Sequence, residues 1–268
     1  MIIRLSSLNY RVWRQLTNLY STHRLAPHCY LIYDLLYEPE NTDLILSLEG
    51  GRVKSYALVW KGEQKNYSIH FWRIDSELLS SFTLKPARTA LIQLYEIEEN
   101  YIEKVVERLS ELGFNYAEVK SCYDMVCDEQ SFKPYDIGQQ VRRLMVNDAE
   151  LFVELNKSRG VNIGLEEAKK YLTKFRYYGL LVNGTLASIA SRYLTLRDVH
   201  IIGDVYTKPE YRGRGYAKAV TSEVTREAVS SGATALLHVE KNNEAAIKVY
   251  KSLGFKIISE RPWINAES

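Results

Sequence analysis

Residues Tyr211-Arg212-Gly213-Arg214-Gly215-Tyr216-Ala217, closely preceded by Asp204-Val205-Tyr206-Thr207-Lys208-Pro209, constrain the fold more than any other stretch of the chain. An alternating apolar strand ends at Pro209, a loop with two glycines and two arginines follows, and a helix then begins with no side chain to cap it. Such a junction points several free backbone N–H groups, and the positive end of the helix dipole, at one spot. Gly213 and Gly215 carry no Cβ to keep an oxyanion away, and they permit positive φ. Arg212 and Arg214 add charge-assisted donors suited to phosphate. The pattern predicts an anion cradle for a pyrophosphate, against the plainer alternative of an exposed glycine-rich turn.

The dinucleotide fingerprint needs a third glycine, and the P-loop needs a Gly-Lys-Ser/Thr ending; the chain has neither here. The arrangement Arg212-x-x-Gly215-x-Ala217 instead resembles the acyl-CoA-binding loop of the GNAT superfamily of N-acetyltransferases. Downstream, His238-Val239-Glu240-Lys241-Asn242-Asn243 leads into a helix bearing Tyr250 and then Leu253-Gly254-Phe255. This is similar to the second signature of that superfamily, in the same order and spacing. The resemblance covers roughly residues 141–262.

Bulk properties fit that reading and exclude others. At 268 residues the chain is long for one domain and comfortable for two. A net charge of +2 makes no electrostatic case for nucleic acid as the main partner. Cys29, Cys122 and Cys127 are unsuitably spaced for a disulfide framework or a zinc site, and His23 and His28 near Cys29 fit no common metal spacing. No metal is expected. No run of 18 apolar residues and no signal-peptide segment is apparent, so the expectation is a cytoplasmic enzyme without a membrane partner.

Two halves are expected, residues 1–137 and 138–268. In the second, strand Val141–Val146 precedes helix Ala149–Lys157, with Asn147 or Asp148 as its cap, and helix Leu165–Thr173 follows. Strands Tyr177–Val182 and Thr185–Tyr193 flank Asn183-Gly184, a strong hairpin signal. Strand Val199–Thr207 enters the loop, and the helix from Ala217 to Ser231 carries Ala217, Val220, Thr221, Val224 and Ala228 on one face. Strand Ala235–Val239, helix Glu244–Leu253 capped by Asn243, and strand Phe255–Ser259 complete the superfamily's order. The first half repeats the pattern in worn form. Strands Asp43–Leu48, Arg52–Trp60, Tyr67–Arg73 and Thr89–Tyr95 precede a helix near Glu99–Leu112, whose ending Glu111-Leu112-Gly113-Phe114 matches Ser252-Leu253-Gly254-Phe255. In that register Leu109 stands at the place of Tyr250. No glycine lies between Ile74 and Arg88, so the first half has no counterpart of the cradle. A degenerate half before an active one resembles glycine N-acyltransferase-like proteins; an unrelated α+β first domain is the alternative. The fold class expected is α/β (α+β) with tandem GNAT-like domains, each a mixed, mostly antiparallel sheet flanked by helices.

The resemblance implies acetyl-CoA as co-substrate and direct acetyl transfer to an amine of a small molecule, peptide or protein, with no covalent enzyme intermediate. It implies that the main chain of Val205, Tyr206 and Thr207 holds the pantetheine and the acetyl carbonyl. The pyrophosphate falls to Arg212, Gly213, Arg214, Gly215, Tyr216, Ala217 and Lys218. Tyr250, at the family's tyrosine position, is the candidate acid for the departing thiolate, or else a core tyrosine. Asn243 is a helix cap, a pantetheine contact, or both. His238 and Glu240 share one face of their strand and are the candidate bases. Asp204 and a water chain are further candidates, because His238 stands where related N-terminal acetyltransferases carry a carboxylate. A longer acyl-CoA donor and a non-catalytic CoA-binding regulatory role are the alternatives. Arg142-Arg143 reads as a solvated strand end, and His70-Phe71-Trp72 as core or the lining of an acceptor pocket.

Overall fold

Asn9 starts the first helix by accepting a hydrogen bond from the Val12 amide at 3.1 Å, so that α1 (Tyr10–Thr22) follows the short strand β1 (Ile2–Arg4). In this computed structural model, which describes every residue except Arg24, Glu63, Gln64, Pro86, Gln139 and Gln140, α2 (His28–Tyr37) comes next. The first unit continues through β2 (Thr42–Glu49), β3 (Arg52–Lys61), β4 (Asn66–Trp72), α3 (Ser76–Ser81), β5 (Thr89–Tyr95), α4 (Asn100–Glu111) and the start of β6 (Tyr116–Cys127). Gly50 and Gly51, at φ 56° and 77°, turn β2 into β3. Neighbours pair antiparallel from β1 to β4, whereas β4 and β5 run parallel, in register over seven pairs from Asn66↔Thr89 to Trp72↔Tyr95. Ile69, Phe71, Leu78, Phe82, Ile92, Leu94, Val105 and Leu109 fill the core beneath α3 and α4.

The second unit holds β7 (Val141–Arg143), α5 (Ala149–Ser158), α6 (Leu165–Lys174), β8 (Arg176–Val182), β9 (Thr185–Thr195), β10 (Val199–Thr207), α7 (Tyr216–Ser230), β11 (Thr234–Glu240), α8 (Glu244–Ser252) and the start of β12 (Lys256–Glu267). Asn183 and Gly184 both take positive φ, 48° and 80°, and close the β8–β9 hairpin as the sequence predicts. One face of the sheet packs Leu237, Val239 and Ile202 against Val220, Val224 and Ala228 of α7 and Tyr250 of α8. The other packs Tyr177, Leu186 and Ile189 against Phe152, Leu155, Ala168 and Leu172 of α5 and α6.

The chain divides between Cys122 and Tyr123, and again between Ser259 and Glu260, so the first unit comprises Met1–Cys122 with Glu260–Ser268 and the second Tyr123–Ser259. The sequence reading placed its division at 137/138. The difference comes from β6, which carried no strand assignment, and from β12, which runs to Glu267 rather than stopping at Ser259. Trp263–Glu267 of β12 pair antiparallel with β5 of the first unit, so that unit takes its last strand from the far end of the chain.

The worn repeat has a geometric signature. In the first unit the Phe114 amide donates to Leu109 O and the Gly113 amide to Ser110 O; in the second, Phe255 donates to Tyr250 O and Gly254 to Lys251 O. Both glycines sit at left-handed φ, 94° and 98°. Each helix ends in the same αL turn, and Leu109 holds the place of Tyr250 within it. Only Gly254 is also a close approach: a Cβ there would fall 1.8 Å from Ser131 O, whereas Gly113 faces open space.

The sequence readings of Asp148 as a side-chain cap, of Arg142 as a solvated strand end and of a strand reaching Val146 are corrected. Asp148 does not cap α5 with its side chain; its carboxylate takes the Arg142 guanidinium through two hydrogen bonds of 2.8 and 2.6 Å and the Met145 amide at 2.8 Å. Arg142 is therefore an ion-paired anchor of the β7–α5 turn, and that turn ends β7 at Arg143 instead of Val146. His70, Phe71 and Trp72 are all buried, with His70 stacked on Tyr30 at 4.2 Å, so they are core.

A buried histidine gives the first unit an acid sensitivity. Burial between Tyr56, 3.0 Å from its Nδ1, and the edge of Trp72 pushes His28 down from 6.5 to about 4. Between those pH values the unfolded chain binds a proton that the folded chain does not, so stability falls as pH falls. The full effect is about 3 kcal/mol. Denaturant titrations should show His28→Gln less stable than wild type at pH 7 and the gap narrowing towards pH 4. A constant gap would refute the buried, neutral histidine.

Candidate active site

The site grows from the end of β10. This strand pairs parallel with β11 for only four residues, Val199↔Thr234 to Ile202↔Leu237. On its other side it stays with β9 to Thr207↔Ser188, through an irregularity between Gly203 and Tyr206. Asp204 sits in that bulge at φ 49°, a left-handed conformation uncommon for a residue other than glycine. Its carboxylate is gripped by the Arg159 guanidinium and by the Tyr177 hydroxyl at 2.8 Å. The bulge turns the rest of β10 out of parallel register. Among the described residues, Val205, Tyr206 and Thr207 lie beyond the last β10–β11 pair, Ile202↔Leu237.

Beyond β10, a turn at Pro209–Tyr211 brings Arg212 back, where its Nε donates to Thr207 O at 3.2 Å. Gly213 and Gly215 follow at φ 75° and 80°. Gly215 is the N-cap of α7, no side chain caps the helix, and its first backbone hydrogen bond is Ala219 N–H to Gly215 O at 3.0 Å. Among the described residues the amides from Gly213 to Lys218 therefore lack backbone partners and face the positive end of the dipole. The side chain of Tyr216 is buried in the core beneath α7, so its share in the cradle is its main chain. Arg214 lies over the ring of Tyr211 at 5.7 Å.

The corresponding helix of the first unit is closed to an anion. Asp75 caps α3, its Oδ1 accepting from the Leu78 amide at 2.8 Å, and β4 stays paired with β5 to its last residue. A carboxylate already fills the place where the second unit offers bare amides.

Tyr135 lies against this loop, a neighbour the sequence reading missed. A Cβ on Gly215 would lie 2.6 Å from its hydroxyl, and Lys218 Nζ sits over its ring at 4.3 Å. The Tyr135 amide donates to Ser222 Oγ at 2.8 Å, which ties this segment to α7. Its only sequence signal was an aromatic in a polar stretch after Pro134, which is weak.

Tyr250 is buried against Phe255, and burial pushes its phenol up to about 12. Its hydroxyl has no hydrogen-bond partner among the described residues. Asn243 is a helix cap, accepting from the Ala246 amide at 3.1 Å. His238 and Glu240 lie on the face of β11 turned away from Leu237 and Val239, which pack under α7. His238 Nδ1 is 2.6 Å from Asp124 Oδ1, a partner no local pattern signals. Among the described residues no cluster of three or more His, Cys, Asp or Glu side chains could hold a metal, and no helix is long and apolar enough to cross a membrane.

The family described as FR47-like protein matches residues 177–264, a span containing the cradle, His238 and Tyr250. No curated protein matches the chain in sequence. Among solved structures, a Drosophila protein is similar over 99% of this chain and 98% of its own, at 15% identity and TM-score 0.75. A GCN5-related N-acetyltransferase-like protein from Streptococcus suis is similar over 96% and 100%, at 14% identity and TM-score 0.61. A tandem GNAT protein from the clavulanic acid biosynthesis pathway is similar over 100% and 98%, at 14% identity and TM-score 0.59. Residues 177–264 thus match the FR47-like family model, and the mixed α/β fold is similar to that of a tandem GNAT protein.

Proposed function

We propose that the second unit is an acetyl-CoA-dependent N-acetyltransferase acting on an amine of a small molecule or a peptide. The observation that carries this reading is the break in β10–β11 pairing at Ile202↔Leu237, set beside a helix entered through an uncapped left-handed glycine. The donor set suits a pyrophosphate: amides without partners, a helix dipole, two arginines and no Cβ at Gly213 or Gly215. Acetyl-CoA supplies the thioester carbonyl as electrophile. Anchoring the pyrophosphate at Arg212–Lys218 orients the distant acyl carbon along Val205–Thr207, whose main chain polarises the carbonyl. His238 takes a proton from the ammonium of the acceptor, which frees the nitrogen lone pair for attack. The Tyr250 hydroxyl, protonated across the physiological range by its burial, donates a hydrogen bond to sulfur as charge develops there. A group near 12 resists giving its proton away outright, so its contribution is mainly that hydrogen bond; as the C–S bond breaks, the departing thiolate takes the remaining proton of the tetrahedral intermediate's nitrogen.

The first unit, with Asp75 in place of a cradle and Leu109 in place of Tyr250, is read as non-catalytic. Calorimetry of the full chain should therefore find one CoA site per chain, and acetyl-CoA with pooled amines and peptides should release CoA. Two sites per chain would overturn the assignment of the first unit. No site at all would overturn the function.

A further inference from the structure

The face of β11 that carries His238 is served by two further strands. Asp124 on β6 meets the imidazole Nδ1 at 2.6 Å, and Ser259 at the start of β12 donates its hydroxyl to the other carboxylate oxygen, also at 2.6 Å. The side chains of His238 and Asp124 are only 5% and 4% exposed. A carboxylate removed from water must have its oxygens satisfied, and here one is spent on an imidazole and the other on a hydroxyl that fixes its orientation. Buried charges of this kind are often replaceable by apolar side chains without loss of stability. A hydroxyl, a carboxylate and an imidazole in that order are instead the arrangement that sets which ring nitrogen bears the proton.

We propose that Asp124 is the positioning residue of His238, with Ser259 as its orienting partner. The inference rests on the reading of His238 as the base. The carboxylate holds the Nδ1 proton, so Nε2 is the atom that accepts the proton of the amine. The N–H bond of the ammonium breaks, an Nε2–H bond forms, and the nitrogen keeps the electron pair that bonds to the acyl carbon. The imidazolium so formed is stabilised by the Asp124 charge and returns its proton to solvent after turnover. Of the other acidic groups near this face, Glu240 stands two residues along the same strand. Asp204, on β10, is already committed to Arg159 and Tyr177.

The test uses the full chain. Nitrogen-15 NMR of the wild type should show neutral His238 protonated at Nδ1; an Nε2–H tautomer overturns the proposal without any assay. In kinetics with acetyl-CoA and the pooled acceptors, Asp124→Asn keeps the shape and an acceptor oxygen but removes the charge. Its kcat/KM plateau should fall by about ten- to 10²-fold, less than the about 10²–10⁴-fold a general base itself contributes, because the imidazole remains. Its acid limb should move to lower pH, because the imidazolium has lost its counter-charge. Ser259→Ala should move the limb in the same direction by less. A merely structural Asp124 would lower the yield of folded protein without moving the limb. If Asp124→Asn leaves limb and plateau in place while His238→Ala abolishes the limb, the positioning role is wrong and the base assignment stands. If His238→Ala leaves the limb unchanged, the base assignment falls, and the proposal with it.

Discussion

Gly215→Glu is expected to abolish measurable CoA binding while the fold survives. Three effects act together at this position. The residue sits at φ 80°, where an L side chain costs about 1–2 kcal/mol. Its Cβ would meet the Tyr135 hydroxyl at 2.6 Å, so the ring must be displaced from the rim of the cradle. Its carboxylate would then occupy the field of the unpartnered amides, as Asp75 does for α3 in the first unit. A loss of about 2.8 kcal/mol is a hundredfold in affinity, and charge repulsion combined with exclusion should exceed that. Gly213→Ala separates strain from occlusion: its φ is 75°, but nothing lies within 4 Å of an added Cβ. It should cost stability and leave most of the affinity. Calorimetry giving Gly215→Glu the CoA affinity of wild type would remove the cradle from the site.

Tyr250→Phe is expected to lower kcat by about 10²-fold, the low end of general-acid effects, with a much smaller change in KM for acetyl-CoA. An interaction that strengthens only as sulfur gains charge appears in kcat. The low end is argued from burial, which holds the phenol at about 12 and so limits it to hydrogen-bond donation. Thermal stability should change little, because the hydroxyl has no protein partner among the described residues to lose and Phe keeps the packing against Phe255. A variant with wild-type kcat would leave Tyr250 as core alone.

Several parts of the fold were legible because their signals are carried by residues adjacent in sequence. Asn183-Gly184 dictates a two-residue hairpin wherever the strands go. Gly254 and Gly113 dictate left-handed helix ends, and the repeat of Leu-Gly-Phe made the two halves comparable before their backbones could be superposed. The opening helices were not read. An Asn9 cap followed by Val12, Leu16 and Leu19 at helical spacing was available, but Arg11, Arg14 and the β-branched residues between them diluted the period. β6 was missed for a different reason. Its first half is mostly exposed or half-buried, so no apolar alternation marks it as a strand.

The sequence by itself determined the loop before α7: two glycines, two arginines and an uncapped helix start lie within a few consecutive residues, so its left-handed geometry follows from local backbone preference alone. It also determined the tyrosine four residues before Gly254 and the lack of a cradle in the first half. Only the tertiary structure decided what stands behind His238, because Asp124 lies 114 residues before His238 and 135 before Ser259. They meet because sheet order sets β12, β6 and β11 side by side, and sheet order follows from how whole faces bury one another rather than from any local period. The same holds for Tyr135 over Gly215, Arg159 on Asp204, and the break between β10 and β11. Each is a contact between segments whose own sequences prefer nothing more specific than a turn, a helix end or a strand.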